Sequence, residues 1–257
     1  WQNPILVKEF RTRPMLQAQW LLRAILVCLV ASVLLMLLVS TSIQMFVAES
    51  ASTFDMMATA VAALMVIVVI LVGPAITSSA ICADRETGIW DMLRRTTLPS
   101  WRLVSGKFQA SLIPLLLIAL AMAPALLILL YFNPNLWLNL LRILSVVGMA
   151  ILFVTTVGMF YSGVFPRTST ATGWTYATVG GVALLSLLAM LAPDLFAQDV
   201  VRAVFLINPV AAAMDAAGHA GMQKLGLYID HLKLIGVVTA GLFIITVVRV
   251  FQLRRPE

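Results

Sequence analysis

Apolar residues run along this chain in long blocks with few charges, not in the alternating pattern of a strand or the one-sided stripe of a surface helix. Ala24 to Ala48 and Met56 to Ala83 are each long enough to cross a hydrocarbon layer of ~30 Å with some tilt. The 34 uncharged residues from Phe108 to Leu141 are divided by Asn133-Pro134-Asn135, a strong turn signal, so a third span ends near Tyr131. A fourth runs from about Leu140 to Phe165. Thr168 to Leu191 supplies a fifth, stopped by Pro193 and Asp194. Leu234 to Phe251 supplies a sixth, with Arg249 able to snorkel to the interface. The pattern predicts an all-α polytopic membrane protein, one transmembrane domain over 1–257, with six transmembrane helices and both termini on one side.

Three connections depart from simple loops. Over 1–20, Asn3 is a helix N-cap and Pro4 takes the first helical position, while Leu6 and Phe10 share a face and Lys8, Arg11 and Arg13 reach for lipid phosphates. This predicts an interfacial helix, with Pro14 allowing a bend into the membrane. The segment 84–107 places eight of the chain's 28 charged residues in 24 positions. Within it Ile89, Trp90 and Leu93 fall on one face at helical spacing, and Asp91 is placed to pair with Arg94 and Arg95. Pro99 ends this amphipathic helix, and Ser100 is the N-cap of another running through Trp101 into the third span. A connection needs only about 2 to 8 residues, so the extra length serves docking against a partner or lying on lipid. The turn Phe165 to Thr170, which carries Arg167, is either a second contact or a turn and nothing more. Finally, 193–233 is too apolar for a solvated loop and is interrupted at Asn208-Pro209, which predicts short interfacial or re-entrant helices between spans five and six on the outer face.

Composition agrees with this pattern. Hydrophobic residues make up 61% and charged residues 11%, far from a soluble domain's roughly 25% charged, and no large catalytic domain fits beside six spans. The net charge of +6 flanks the apolar blocks and forms no single patch, which argues against nucleic acid. Thirteen of the basic residues fall on the side of the termini: Lys8, Arg11, Arg13, Arg23, Arg85, Arg94, Arg95, Arg102, Lys107, Arg167, Arg249, Arg254 and Arg255. The positive-inside rule therefore makes both termini cytoplasmic. No short cleavable apolar stretch precedes the first block, which reads as a retained span. No Asp, Glu, Lys, Arg or His lies near the middle of a span, which disfavours a proton-coupled transporter. Cys28 and Cys82 lie in or beside apolar blocks and form no disulfide framework.

Motifs of catalysis are missing. Gly106-Lys107 lacks the rest of a phosphate-binding loop, and no His-Glu-x-x-His or Gly-x-Ser-x-Gly occurs. Asp215 and His219 have a spacing that could share a metal, with His231 and Asp230 nearby, but polar residues at a helix end explain them, and no metal site is expected. The 13 methionines are scattered as packing residues. Thr77, Ser78 and Ser79 with Thr172, Thr175 and Tyr176 are the polar clusters of the spans, either lining a pathway or bonding helix to helix.

Taken in order, these residues resemble the membrane subunits of ABC exporters, the ABC-2 type permeases. The resemblance lies in Asn3-Pro4-Ile5-Leu6-Val7-Lys8-Glu9-Phe10-Arg11, in Pro74-Ala75-Ile76, and in Ile81-Cys82-Ala83-Asp84-Arg85-Glu86-Thr87-Gly88. It continues in Leu93-Arg94-Arg95-Thr96-Thr97-Leu98-Pro99, Gly106-Lys107 and Asn208-Pro209-Val210, with six spans in matching order. Thr97-Leu98-Pro99 stands where Thr-Pro-Leu is commoner. The resemblance implies a dimeric permease of a bacterial inner membrane, without an ATPase site of its own, that exports a substrate as a cytoplasmic ABC ATPase subunit binds ATP and Mg and hydrolyses the nucleotide. It implies a coupling helix over Asp84 to Leu93, with Asp84, Arg85, Glu86, Gly88, Ile89, Trp90, Asp91 and Leu93 docking on the ATPase and Arg167 making a second contact. The other readings of the same residues are a membrane scaffold or sensor that recruits a cytoplasmic partner, and a membrane enzyme built on His219 and His231, which no motif supports.

Overall fold

The computed structural model describes residues 4–12, 18–46, 51–94, 96, 98–191, 198–223 and 225–254. Among these the regular structure is all helical. Among the described residues five helical stretches are long and apolar enough to cross a membrane: Gln19–Leu38, Phe54–Glu86, Ser100–Phe132, Pro134–Val164 and Leu227–Leu253. By length and composition this is a multi-pass membrane protein. The helices are α1 (Pro4–Thr12), α2 (Ala18–Phe46), α3 (Ala51–Thr77), α4 (Cys82–Glu86), α5 (Ile89–Arg94) and α6 (Ser100–Phe132). After a single-turn 3-10 helix at Pro134–Leu136 come α7 (Trp137–Val164), α8 (Thr168–Leu191), α9 (Gln198–Ile207), α10 (Pro209–Ala217), α11 (Ala220–Gln223) and α12 (Leu227–Arg254).

The expected turn at Asn133-Pro134-Asn135 is present, with the Asn133 side chain accepting from the Asn135 N–H. The block from Thr168 to Leu191 is one continuous helix, α8. Several helices start earlier than the apolar blocks. α2 takes in Arg23, α6 takes in Arg102 and Lys107, and α12 takes in Asp230, His231 and Lys233. A helix continues for as long as its carbonyls and N–H groups find each other, and charged side chains near its ends reach water or partners. Ser100, expected as a cap, is the first helical residue of α6, and Pro99 holds the extended cap position with φ −65° and ψ 146°. The cap expected at Asn3, the bend at Pro14 and the stop at Pro193 and Asp194 lie outside the described residues.

α3 does not run unbroken to Ala83. Pro74 has no N–H for the ladder, the helix ends at Thr77, and the next turn opens before α4. Ser162 of α7 fills the gap, its hydroxyl oxygen accepting from the N–H groups of Ile81 at 2.7 Å and Cys82 at 3.0 Å. A side chain inserted into the ladder is a known cause of such a break.

α7 is the central helix, packed against α3, α6, α8, α10 and α12. Its approach to α3 rests on two glycines. A Cβ on Gly158 would stand 1.9 Å from Thr77 Oγ1, and one on Gly73 would stand 2.4 Å from Val154 Cγ1. Small residues are what let apolar helices gain dispersion contact inside a membrane. At one end of the bundle Ile5 of α1, Trp90 of α5, Met159 of α7 and Val250 of α12 share a cluster, so the first and last helices both contribute to it. At the other end α9 and α10 are bent by 93° at Asn208-Pro209. The Asn208 side chain caps α10 by accepting from the Val210 N–H at 2.8 Å, and Gly218, at φ 99°, closes it in a left-handed turn. α10 buries Ala212, Ala213 and Ala216 among α3 and α7.

Candidate functional site

The end to which α1 and α12 both contribute also gathers α4, α5, the start of α6 and the turn between α7 and α8. The one amphipathic helix expected through Asp84 to Leu93 is two short helices. Gly88 separates them at φ 72°, a conformation that costs other residues about 1–2 kcal/mol. Helices of five and six residues have no stability of their own, so packing sets their place.

A cluster of four charges does part of this. Lys107 of α6, fully buried, donates to Glu9 Oε1 of α1 at 2.7 Å, to the Ala80 carbonyl at 2.6 Å and to Asp84 Oδ2 of α4. The other Asp84 oxygen accepts from Lys8 Nζ at 2.9 Å. Around it lie Ile5, Ile81, Trp90, Leu103 and Val104. An ammonium in such surroundings is costly unless paired, and two cations against two carboxylates leave the cluster neutral.

This arrangement changes the expected docking face. Asp84, expected to meet a partner, is buried and engaged within the chain. Trp90, the expected centre of that face, is 5% exposed and packs inward, and Leu93 packs against the same cluster. The helical spacing of Ile89, Trp90 and Leu93 marks the buried side of α5, since a stripe of large apolar residues covers apolar neighbours when the chain supplies them. Outward stand Asp91 and Met92, the latter 75% exposed, with Glu86, Thr87, Gly88 and Arg167 also exposed. Ile89 and Arg85 are half-buried, and Arg85 Nη1 reaches the Phe165 carbonyl at 3.5 Å.

Glu86 links the two connections at this end. Its carboxylate accepts from the Thr168 N–H at 2.8 Å and from the Thr168 hydroxyl at 2.5 Å, capping the start of α8. A carboxylate there satisfies an orphan donor and faces the positive end of the helix dipole. A step away, the rings of Phe165 and Trp174 are stacked with centroids 6.2 Å apart, and Tyr161 stacks on both.

Three of the six polar residues singled out in the spans bond one helix to another. Ser78 and Thr172 share a hydrogen bond of 2.7 Å between hydroxyls, and the Tyr176 hydroxyl donates to the Leu71 carbonyl at 2.7 Å. Thr77 and Thr175, both fully buried, donate to the carbonyls of Gly73 and Ala171 on their own helices. Ser79 is half-buried, and of the six only Tyr176 is exposed on the chain's surface. At the far end, Asp215 accepts from the Tyr228 N–H at 2.8 Å and His219 Nδ1 from the Gly221 N–H at 3.2 Å. His231 bonds the Leu206 carbonyl, and Asp230 pairs with Arg202 at 3.2 Å. Among the described residues no three metal-ligating side chains gather.

Lys8, expected to reach lipid phosphates, instead pairs with Asp84 inside the chain, and the roles of Lys107, Glu9 and Ser162 were not expected from the sequence. A signal for Lys107 existed: it lies on the stripe of Leu103, Val104, Ala110, Ser111 and Pro114, at helical spacing, and so on the buried face of α6. Nothing local points to Glu9 as its partner, 98 positions away. Compared with known proteins, the chain matches no family model and no curated protein.

Proposed function

We propose that this chain is the membrane subunit of an ATP-driven exporter of the ABC-2 type, working as a dimer with a second permease subunit and coupled to a separate cytoplasmic ATPase that binds ATP and Mg. The observation that carries this is the build of the α4–α5 segment. It is a folded element between two membrane helices, anchored by its inner face, with Asp91 and Met92 presented outward and Glu86 and Arg167 also exposed at this end. Such an element can pass a push from outside the membrane into α3 and α6. The chain carries no phosphate-binding loop, so the energy comes from a partner.

The topology in this reading has six spans, with α8 as the fifth. At 1.5 Å per residue its 24 residues reach about 36 Å. α9 and α10 are not a span, because pieces of 10 and 9 residues, about 15 and 14 Å long, set at 93° cannot add up to ~30 Å. They form an outer re-entrant cap. Ile5 and Val250 contribute to one cluster, which supports an even number of crossings such as six. The basic residues gathered at that end make it cytoplasmic, with α1 as an interfacial helix at the lipid surface of a bacterial inner membrane.

The test is mild-detergent purification of the full chain from its native membrane, with mass spectrometry of what comes with it, for wild type and Met92→Glu. A P-loop ATPase that accompanies wild type and is lost with Met92→Glu is the expected result. If no ATPase appears in several detergents, the permease reading fails and a scaffold or sensor role replaces it.

A further inference from the structure

We infer that Lys107 is a positioning residue, fastening α1 and the α4–α5 segment to the foot of α6 so that the three move as one body. The inference rests on the permease reading only for what that motion accomplishes. Its geometric basis is independent of any partner.

The Lys107 ammonium spends its three protons on three acceptors from two other parts of the chain: Glu9 on α1, and Ala80 and Asp84 at and before α4. Lys8 then returns from α1 to the remaining oxygen of Asp84. Four side chains thereby tie three elements, and two of those elements, α1 and α4, are only nine and five residues long. Lys107 lies seven residues into α6, about 10 Å from its start, where the helix is committed to the bundle.

Apolar packing also holds these elements, through Ile5, Ile81, Trp90, Leu103 and Val104. Such contacts are non-directional and let helices slide. What the ions add is register, since charge-assisted bonds at 2.6–2.9 Å are lost with a small shift of either partner. A force on the outward face of α5 is therefore delivered to α6 and α1 together, with little slip at the apolar contacts.

The test is amide hydrogen exchange on the full chain in lipid nanodiscs, comparing wild type, Lys107→Met and the double variant Glu9→Gln/Lys107→Met. Residues 4–12 and 82–94 are expected to exchange at least about 10-fold faster in both variants, with 145–160 of α7 unchanged. The double variant strands no buried carboxylate at Glu9, so it separates loss of the tether from the cost of an unpaired charge. It also decides the matter if the single variant does not fold. Wild-type protection of 4–12 in the double variant overturns the inference, and so does an acceleration shared equally by α7.

A second readout is the number of substrate molecules moved per ATP hydrolysed by the assembled complex. It is expected to fall several-fold in the double variant while the ATPase stays bound, and an unchanged ratio overturns the positioning role. Should no ATPase partner exist, the exchange result still decides the tether, so the two failures are told apart.

Discussion

Replacing Gly158 with alanine tests whether the contact between α3 and α7 sets the geometry of the bundle. The new Cβ would stand 1.9 Å from Thr77 Oγ1, 2.6 Å from Thr77 Cβ and 3.1 Å from the Thr77 carbonyl carbon. Ordinary carbon contacts are about 3.5–4.0 Å. Rotating the Thr77 hydroxyl relieves only the first clash, because the other two atoms belong to the backbone or are bonded to it. The helices must then part by roughly 1 Å, and overpacking of this kind costs about 1–3 kcal/mol. Alanine returns up to about 1 kcal/mol in helix propensity. Taking about 2 kcal/mol, the middle of the overpacking range, the net loss of about 1–2 kcal/mol lowers the folded-to-unfolded ratio about 5- to 30-fold. Denaturing-detergent titration of the purified chain, followed by tryptophan fluorescence, reads this directly. Thr77→Gly/Gly158→Ala moves the missing side chain to the other helix and is expected to recover most of the loss. Stability of Gly158→Ala at or above wild type would refute the close-contact account.

Two further substitutions test the foot of the bundle. Trp90→Ala is expected to cost about 3–5 kcal/mol in the same titration, as for other buried aromatic residues, whereas Met92→Ala on the exposed side of α5 should stay within about 0.5 kcal/mol of wild type. A harmless Trp90→Ala would mean that the indole does not pack inward. Ser162→Ala leaves the buried N–H groups of Ile81 and Cys82 without their acceptor, at about 1–3 kcal/mol each. Faster hydrogen exchange at those two amides is the accompanying signature, and unchanged exchange there would rule out the cap.

The sequence by itself determined the class of this protein and the order of its elements. Membrane-crossing helices are selected by length and apolarity, which are local, so the turn at Asn133, the continuous helix α8 and the break at Asn208-Pro209 were all legible. The helix at Pro4 and the departure of 84–107 from a plain loop were legible for the same reason.

What only the tertiary structure decided is which face of each element is used. Helical spacing puts Ile89, Trp90 and Leu93 together, but the same stripe serves a partner or the chain's own core, and Ile5, Leu103 and Val250 settle that Trp90 points inward. Asp84 and Lys107 read as charges at the ends of spans. Glu9 and Lys8, brought from the far side of α2 and α3, turn them into a buried neutral cluster. Ser162 likewise becomes a cap only because α7 passes the broken end of α3. The physical reason is common to all three. Hydrophobicity and backbone hydrogen bonding act over a few residues, whereas the pairing of a buried charge or an orphan N–H depends on which distant side chain the packing delivers.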